Sequence, residues 1–290
     1  MDHVWAALLC AALAGGASWF VPRLVAAVPE PVPEPQTDEA QLEAEADVAS
    51  NPGEPGGDPT KLGSASQPSG NSRGFAGHPA KPPPRPAAPA DPPKPLYLDL
   101  AARPDLAPWS ALAGALAGVL FGAVLGFDWA LLFLVPFVPL GVALGYIDWH
   151  TRLLPTWLIA PAYPALVVLV LLAGVLSGDW SDVRRAAFGW LVIGGFYLVQ
   201  WLISPRIMGY GDVRLAGLLG IMLGYLGWSE IVVGLFAPIL GQGLPQLLVT
   251  IVRRRRPVAR PFGPAMLVAS ALVVAIGPPL GQWYAGRIGL

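Results

Sequence analysis

Apolar residues along this chain come in long unbroken runs, not in the alternation of a half-buried strand or the stripe of a soluble helix. The first run extends from Val4 to Ala27 and is interrupted by Pro22 and Arg23. Seven more follow, near residues 109–126, 129–147, 156–176, 186–204, 213–227, 229–252 and 263–285. Several approach the roughly 20 residues that carry an α-helix through a bilayer's hydrocarbon. Lipid offers backbone groups no hydrogen-bond partners, so such runs must be helices. The pattern predicts an all-α polytopic membrane protein with about eight transmembrane helices. The 213–227 run is the shortest, and its ends are the least sharply marked.

Residues Val28 to Asp105 break the pattern. Pro-Glu repeats open the segment, an acidic Gln/Glu/Ala stretch follows, then Gly/Ser, then Pro/Lys/Arg. It holds 12 of the 19 acidic residues and 18 of the 33 prolines. So little apolar surface cannot offset the entropy lost on ordering. A long disordered linker is expected, with a short acidic helix at Gln36–Ala49 its one candidate element. The expected organisation is a first membrane helix at 1–27, the linker at 28–105 and a seven-helix membrane domain at 106–290.

The composition agrees: 290 residues, 54% hydrophobic, 13% charged, mean hydropathy +0.55. The net charge of −1 is an average over unlike parts. Cys10 is the only cysteine, which rules out an intrachain disulfide and a zinc-thiolate site. It lies in an apolar run and is read as inert packing.

Charge sets an expected orientation. The chain begins Met1-Asp2-His3, without the basic start of a cleaved signal peptide. Small residues at Ala14–Ser18 resemble a cleavage region, yet the first fixed positive charge, Arg23, follows the run. A retained helix with its N-terminus outside is favoured. The loops carrying Arg152, Arg206, Arg253 to Arg256 and Arg260 then fall on the cytoplasmic side, with Arg214 just beyond. Arg184, Arg185 and Arg287 fall outside. The expected location is a bacterial cytoplasmic membrane, and high Ala, Gly, Pro and Arg usage suggests a GC-rich genome.

Only six acidic residues follow position 106: Asp128, Asp148, Asp179, Asp182, Asp212 and Glu230. Two lie in telling contexts. Asp148 closes one apolar run, and Pro155 opens the next. Asp212 follows Gly209-Tyr210-Gly211 and starts a helix. Taken singly, Asp148 reads as a solvated loop residue and Asp212 as a helix N-cap. Helix counting puts both on one membrane face. Carboxylates within hydrogen-bond reach share a proton and titrate as a unit. One can then take a proton from water while its partner donates to a scissile carbonyl.

The motifs resemble those of the prepilin peptidase (type IV leader peptidase) family, a group of GxGD aspartyl proteases. The family's first motif, an aspartate with proline seven residues on, is matched by Asp148 and Pro155. Its Gly-x-Gly-Asp motif, followed by hydrophobic, basic and hydrophobic residues, is matched by Gly209 to Leu215. Pro261-Phe262-Gly263-Pro264 resembles a third family stretch, and Gly15 to Arg23 loosely resembles the N-terminal helix. The resemblance covers about 109–285, with a weak match at 5–26. It implies catalysis by Asp148 and Asp212, a site shaped by Pro155, Gly209, Gly211, Arg214, Gly263 and Pro264, and no cofactor. The implied partners are prepilin or pseudopilin-like substrates of type IV pili and secretion, and the lipid bilayer, with no nucleic acid.

Two departures matter. Bifunctional family members carry a zinc-binding domain with paired CxxC motifs after the first helix, associated with N-methylation. This chain has its cysteine-free linker there, so neither zinc nor methyltransferase activity is expected. Arg214 stands where lysine is usual and is read as a lipid-headgroup contact. Three rivals remain: a presenilin-like intramembrane protease, echoed only partly in Pro264-Ala265-Met266, a cation- or proton-coupled transporter, and an inactive assembly factor that keeps the fold, against which the intact aspartates argue. A transporter is expected to hold its acids near mid-membrane in repeated halves. Of the remaining residues, His150 is read as a solvated loop histidine, Arg253–Arg256 as a topology anchor, and Glu230 as a helix N-terminal acid. Gln242 and Pro245 are read as a kink or an interhelical hydrogen bond.

Overall fold

A computed structural model describes residues 1–30, 96–205, 208–253 and 261–288. The expected linker from 31 to 95, with its candidate helix at Gln36–Ala49, lies outside the described residues, as do Arg206, Arg254–Arg256 and Arg260. What is described is helical. The first run forms α1 (Asp2–Ser18) and α2 (Val21–Ala26), divided at Trp19-Phe20 just ahead of Pro22. Then come α3 (Tyr97–Ala101), α4 (Leu106–Leu125), α5 (Leu131–Thr151) and α6 (Thr156–Ser177). α7 (Trp180–Ile203) contains a π-helical turn at Trp190–Gly194. α8 (Tyr210–Leu226) follows, then α9 (Trp228–Pro238), a second π turn at Ile239–Gly243, α10 (Leu244–Arg253) and α11 (Gly263–Ile288).

Six of the described helical stretches are long and apolar enough to cross a membrane: Asp2–Ala26, Leu106–Leu125, Leu131–Thr151, Thr156–Ser177, Trp180–Ile203 and Gly263–Gly281. The chain is a multi-pass membrane protein. The expectation of about eight spans is met only approximately: α8, at 17 residues, and the stretch from Trp228 to Arg253 are not among these six. α8 is nonetheless the centre of the bundle, with every residue from Leu215 to Tyr225 buried. A helix apolar on all sides belongs inside a protein.

Hydrophobicity cannot drive helices together in lipid, so close backbone packing takes its place. Gly114, Gly118 and Gly122 repeat at four-residue spacing along α4 and admit the backbone of α1. A methyl group at Gly122 would lie 2.5 Å from the Ala6 carbonyl, and one at Gly118 would run into Cys10. Cys10 is buried there, as packing requires. A second seam joins α7 to α8, where a methyl group at Gly224 would lie 2.7 Å from the Arg185 carbonyl oxygen.

The described residues at either edge of the expected linker are packed. Val28 is buried, and residues 96–105 are folded: α3 buries Tyr97 and Leu100. The Leu98 N–H donates to Glu30 Oε1 at 3.0 Å. Tyr146 on α5 donates to the Leu100 carbonyl at 3.3 Å. The spaced apolar residues of Leu96-Tyr97-Leu98-Asp99-Leu100 were too few to stand out against the prolines around them.

Replacing Gly118 by leucine is expected to cost at least the 1–3 kcal/mol typical of overpacking. Gly16, one turn away on the open side of α1, has nothing within 4 Å of its absent Cβ. Gly16→Leu is therefore expected to leave thermal unfolding in detergent unchanged while Gly118→Leu lowers it. Equal melting temperatures would contradict the seam.

Candidate active site

Asp148 sits one turn before the end of α5. The helix runs on to Thr151, past the boundary near 147 that hydropathy suggested, and stops where Arg152 turns left-handed (φ 55°). The Arg152 N–H donates to the Asp148 carbonyl at 2.8 Å. Asp148 is thus no solvated loop residue; it is 4% exposed. A buried carboxylate needs donors. The Gly263 N–H at the start of α11 supplies one, 3.0 Å from Oδ2. Only glycine fits there, since a Cβ would lie 2.8 Å from the same oxygen.

Asp212 lies in the first turn of α8. It is not the N-cap; Gly209 is, with extended backbone angles. At the third helical position, the Asp212 N–H donates to the Gly209 carbonyl at 3.1 Å. The Asp148 charge acts on the Asp212 carboxyl, so the two acids share one electrostatic environment. Among the described residues neither has an ion-pair partner.

The other expected site residues gather around them, with one exception. Pro155 caps the N-terminus of α6. Leu154 just before it packs on Gly211, where a Cβ would lie 2.7 Å from the Leu154 Cβ. Pro264 lines an apolar cavity of about 360 Å³ between α4, α5, α8 and α11, with Leu144, Gly145, Leu215 and Leu267 on its walls. Arg214 is the exception: its guanidinium bonds Thr156 and lies 4.4 Å over the Tyr210 ring.

Two neighbours were not anticipated as site residues. Tyr197 on α7 is 1% exposed, lies near enough to feel the Asp212 charge, and packs against Phe262 with ring centroids 6.1 Å apart and planes tilted by 56°. Its hydroxyl donates to the Leu235 carbonyl at 3.2 Å. Gln242, expected to kink its helix or bond another, sits in the π turn and donates to the Pro261 carbonyl at 3.0 Å. It thereby ties down the stretch that leads to Gly263. His150 is not a free loop residue. It lies in the last turn of α5, with Nδ1 2.9 Å from the Tyr146 carbonyl and Nε2 3.2 Å from Arg103 Nη1. Glu230 is in the first turn of α9, as expected, but 3% exposed, and accepts from Ser229 Oγ at 2.8 Å.

Fold and site together define a membrane-embedded helical bundle carrying one buried acid, Asp148, and one half-buried acid, Asp212, at one end. Comparison with known proteins narrows this class. Residues 135–248, which include both aspartates, match the model of the type IV leader peptidase family. Over that segment the chain is similar to this family. It is 31% identical over 182 residues to a prepilin leader peptidase/N-methyltransferase of Aeromonas hydrophila, covering 61% of this chain and 60% of that one. To a protein of the same name from Aeromonas salmonicida (strain A449) it is 30% identical over 186 residues, 62% of each. To one from Legionella pneumophila it is 28% identical over 169 residues, 56% of this chain and 55% of that one. The matched region thus spans about 60% of the length of the first of these relatives. No solved structure matches the chain.

Tyr197→Phe removes the hydroxyl that donates to the Leu235 carbonyl. A loss of about 1 kcal/mol is expected, the usual worth of such a bond. Thermal unfolding in detergent checks it, and a melting temperature equal to wild type would show the bond to be idle.

Proposed function

We propose that this chain is a membrane aspartyl endopeptidase that removes the leader from type IV prepilin-like proteins at the cytoplasmic face of the inner membrane. The observation that carries this reading is the meeting of three distant segments at one end of the bundle. Asp148 is held by Gly263, the Arg152–Pro155 turn packs on Gly211, and Asp212 is charge-coupled to Asp148. Counting helices from an external N-terminus puts that end in the cytoplasm, where most arginines also lie.

The chemistry follows from two acids without cations. One carboxylate takes a proton from a water held between them, and the oxygen attacks the scissile carbonyl carbon. The other, protonated, stabilises the developing oxyanion and then supplies the proton for the departing amide nitrogen as the C–N bond breaks. The Gly263 N–H fixes one Asp148 oxygen, leaving the other to face the water. The apolar cavity beginning at Pro264 would receive side chains of the membrane helix that follows the cleavage site in such a substrate. The chain has no paired cysteines where bifunctional members carry them, so we assign it no N-methyltransferase activity.

The test is co-expression of the full chain with prepilins of its own genome, reading substrate mass. Asp148→Asn and Asp212→Asn preserve shape and are each expected to slow cleavage by roughly 10²–10⁴-fold, the range for a general acid or base. The released N-terminus is expected to be unmethylated. Full cleavage by either variant would sink the mechanism. A dyad also requires a bell-shaped pH profile: the rate falls at low pH as the base is protonated, and at high pH as the shared proton is lost. A rate rising monotonically with pH would exclude it.

A further inference from the structure

Arg214 is two residues from Asp212 yet takes no part in the acid pair. Its guanidinium faces α6, bonding Thr156. Among the described residues no carboxylate pairs with it. A guanidinium has five N–H donors, so most of this group's capacity is unspent. It stands at the mouth of a second cavity, about 760 Å³, between α6 and α7 and floored by α8.

This cavity is polar at one end only. There the Tyr163 hydroxyl donates to the Arg214 carbonyl at 2.7 Å and braces the Arg214 backbone, with Trp190 on the same wall. Gly217 makes the room, since a Cβ there would lie 3.1 Å from Trp190 Nε1. Beyond them the walls are apolar, with Val170 and Leu171 on α6 and Val183 and Ala187 on α7. From Thr156 to Leu171 the slot runs 15 helical residues, about 22 Å at 1.5 Å each. That exceeds one leaflet of hydrocarbon, roughly 15 Å. Val167, Leu171 and Trp190 are exposed along it, so the slot opens toward the surrounding bilayer.

We infer that this slot holds one phospholipid with an anionic headgroup, its phosphate on Arg214 and an acyl chain between α6 and α7. Charge complementarity chooses the headgroup: a lone, donor-rich cation at a membrane interface favours a net negative lipid. Shape chooses the tail, because a narrow apolar slot of that length suits a flexible chain. A peptide helix, about 10 Å across with its side chains, would not fit between packed helices. The inference does not depend on the protease reading, and the test reads lipid, not cleavage.

The full chain, purified in neutral detergent, would be titrated with phosphatidylglycerol or phosphatidylcholine of identical chains. Bound lipid is counted by native mass spectrometry, and melting temperature is followed in parallel. One phosphatidylglycerol is expected to bind preferentially and raise the melting temperature. Arg214→Gln is expected to lose about fivefold of that preference, the equivalent of roughly 1 kcal/mol per basic side chain at an anionic surface. Arg214→Lys, which keeps the charge, should retain most of it. Ala187→Phe, which fills the slot, should weaken both lipids alike. Circular dichroism confirms that each variant is folded. Equal binding of the two lipids by wild type, or a preference surviving in Arg214→Gln, would overturn the proposal. A melting shift with inorganic phosphate alone as large as with lipid would overturn it too, by making the ligand a free anion.

Discussion

A backbone donor 115 residues away in sequence holds the Asp148 carboxylate: the Gly263 N–H, 3.0 Å from Oδ2. Everything about this end of the bundle follows from that constraint. A carboxylate buried at a helix end needs hydrogen bonds, and a cation would suppress the proton exchange that a paired acid performs. A backbone amide satisfies one oxygen without neutralising the group. It also demands glycine, because a side chain on that residue would occupy the carboxylate's place. The residues around Gly263 are held accordingly. Gln242 ties the Pro261 carbonyl, and Phe262 packs on Tyr197, which lies beside Asp212. The two acids are thus linked through α11 and α7 as well as through their own charges.

The second dependence is on glycine seams. The α4 seam seats α1, and the α7–α8 seam surrounds the central helix with backbone at close range. α8 is one turn shorter than a typical span, yet it carries Asp212 at its first turn and is buried from Leu215 onward. A helix fixed on all sides moves little, and an acid at its start is fixed with it. Precise placement of this kind is what acid–base chemistry between two side chains requires.

Much of this was legible in the sequence because the bilayer simplifies the code. Runs of apolar residues mark helices, and glycine or proline marks their ends. Asp148, Asp212, Pro155, Gly209, Gly211 and Gly263 stood out by standing in such places. What was not legible depended on the third dimension. The end of α5 lay beyond Asp148 because Asp-Trp-His-Thr is polar enough to look like a loop, although Tyr146 and Arg103 contact His150 and carry the helix onward. α3 was hidden at the end of a proline-rich segment, and its residues meet α2 and α5, which are distant in sequence. Tyr197 gave no sign, since a tyrosine in an apolar run is ordinary. Gln242 did, although its bond goes not to another helix but to Pro261, in the stretch just before α11.

The Gly-Tyr-Gly-Asp-Val-Arg-Leu sequence shows how one short motif can serve two surfaces. At 3.6 residues per turn, positions two apart point about 200° away from each other. Asp212 therefore turns toward α5 and Asp148, while Arg214 turns toward α6 and Thr156. A basic residue at this spacing cannot neutralise the acid pair from its own helix, whatever its chemical type. It can only serve the other side, where Tyr210 stacks beneath it and Tyr163 holds its carbonyl. The same geometry that keeps the acids free of cations leaves the cation free for the lipid interface.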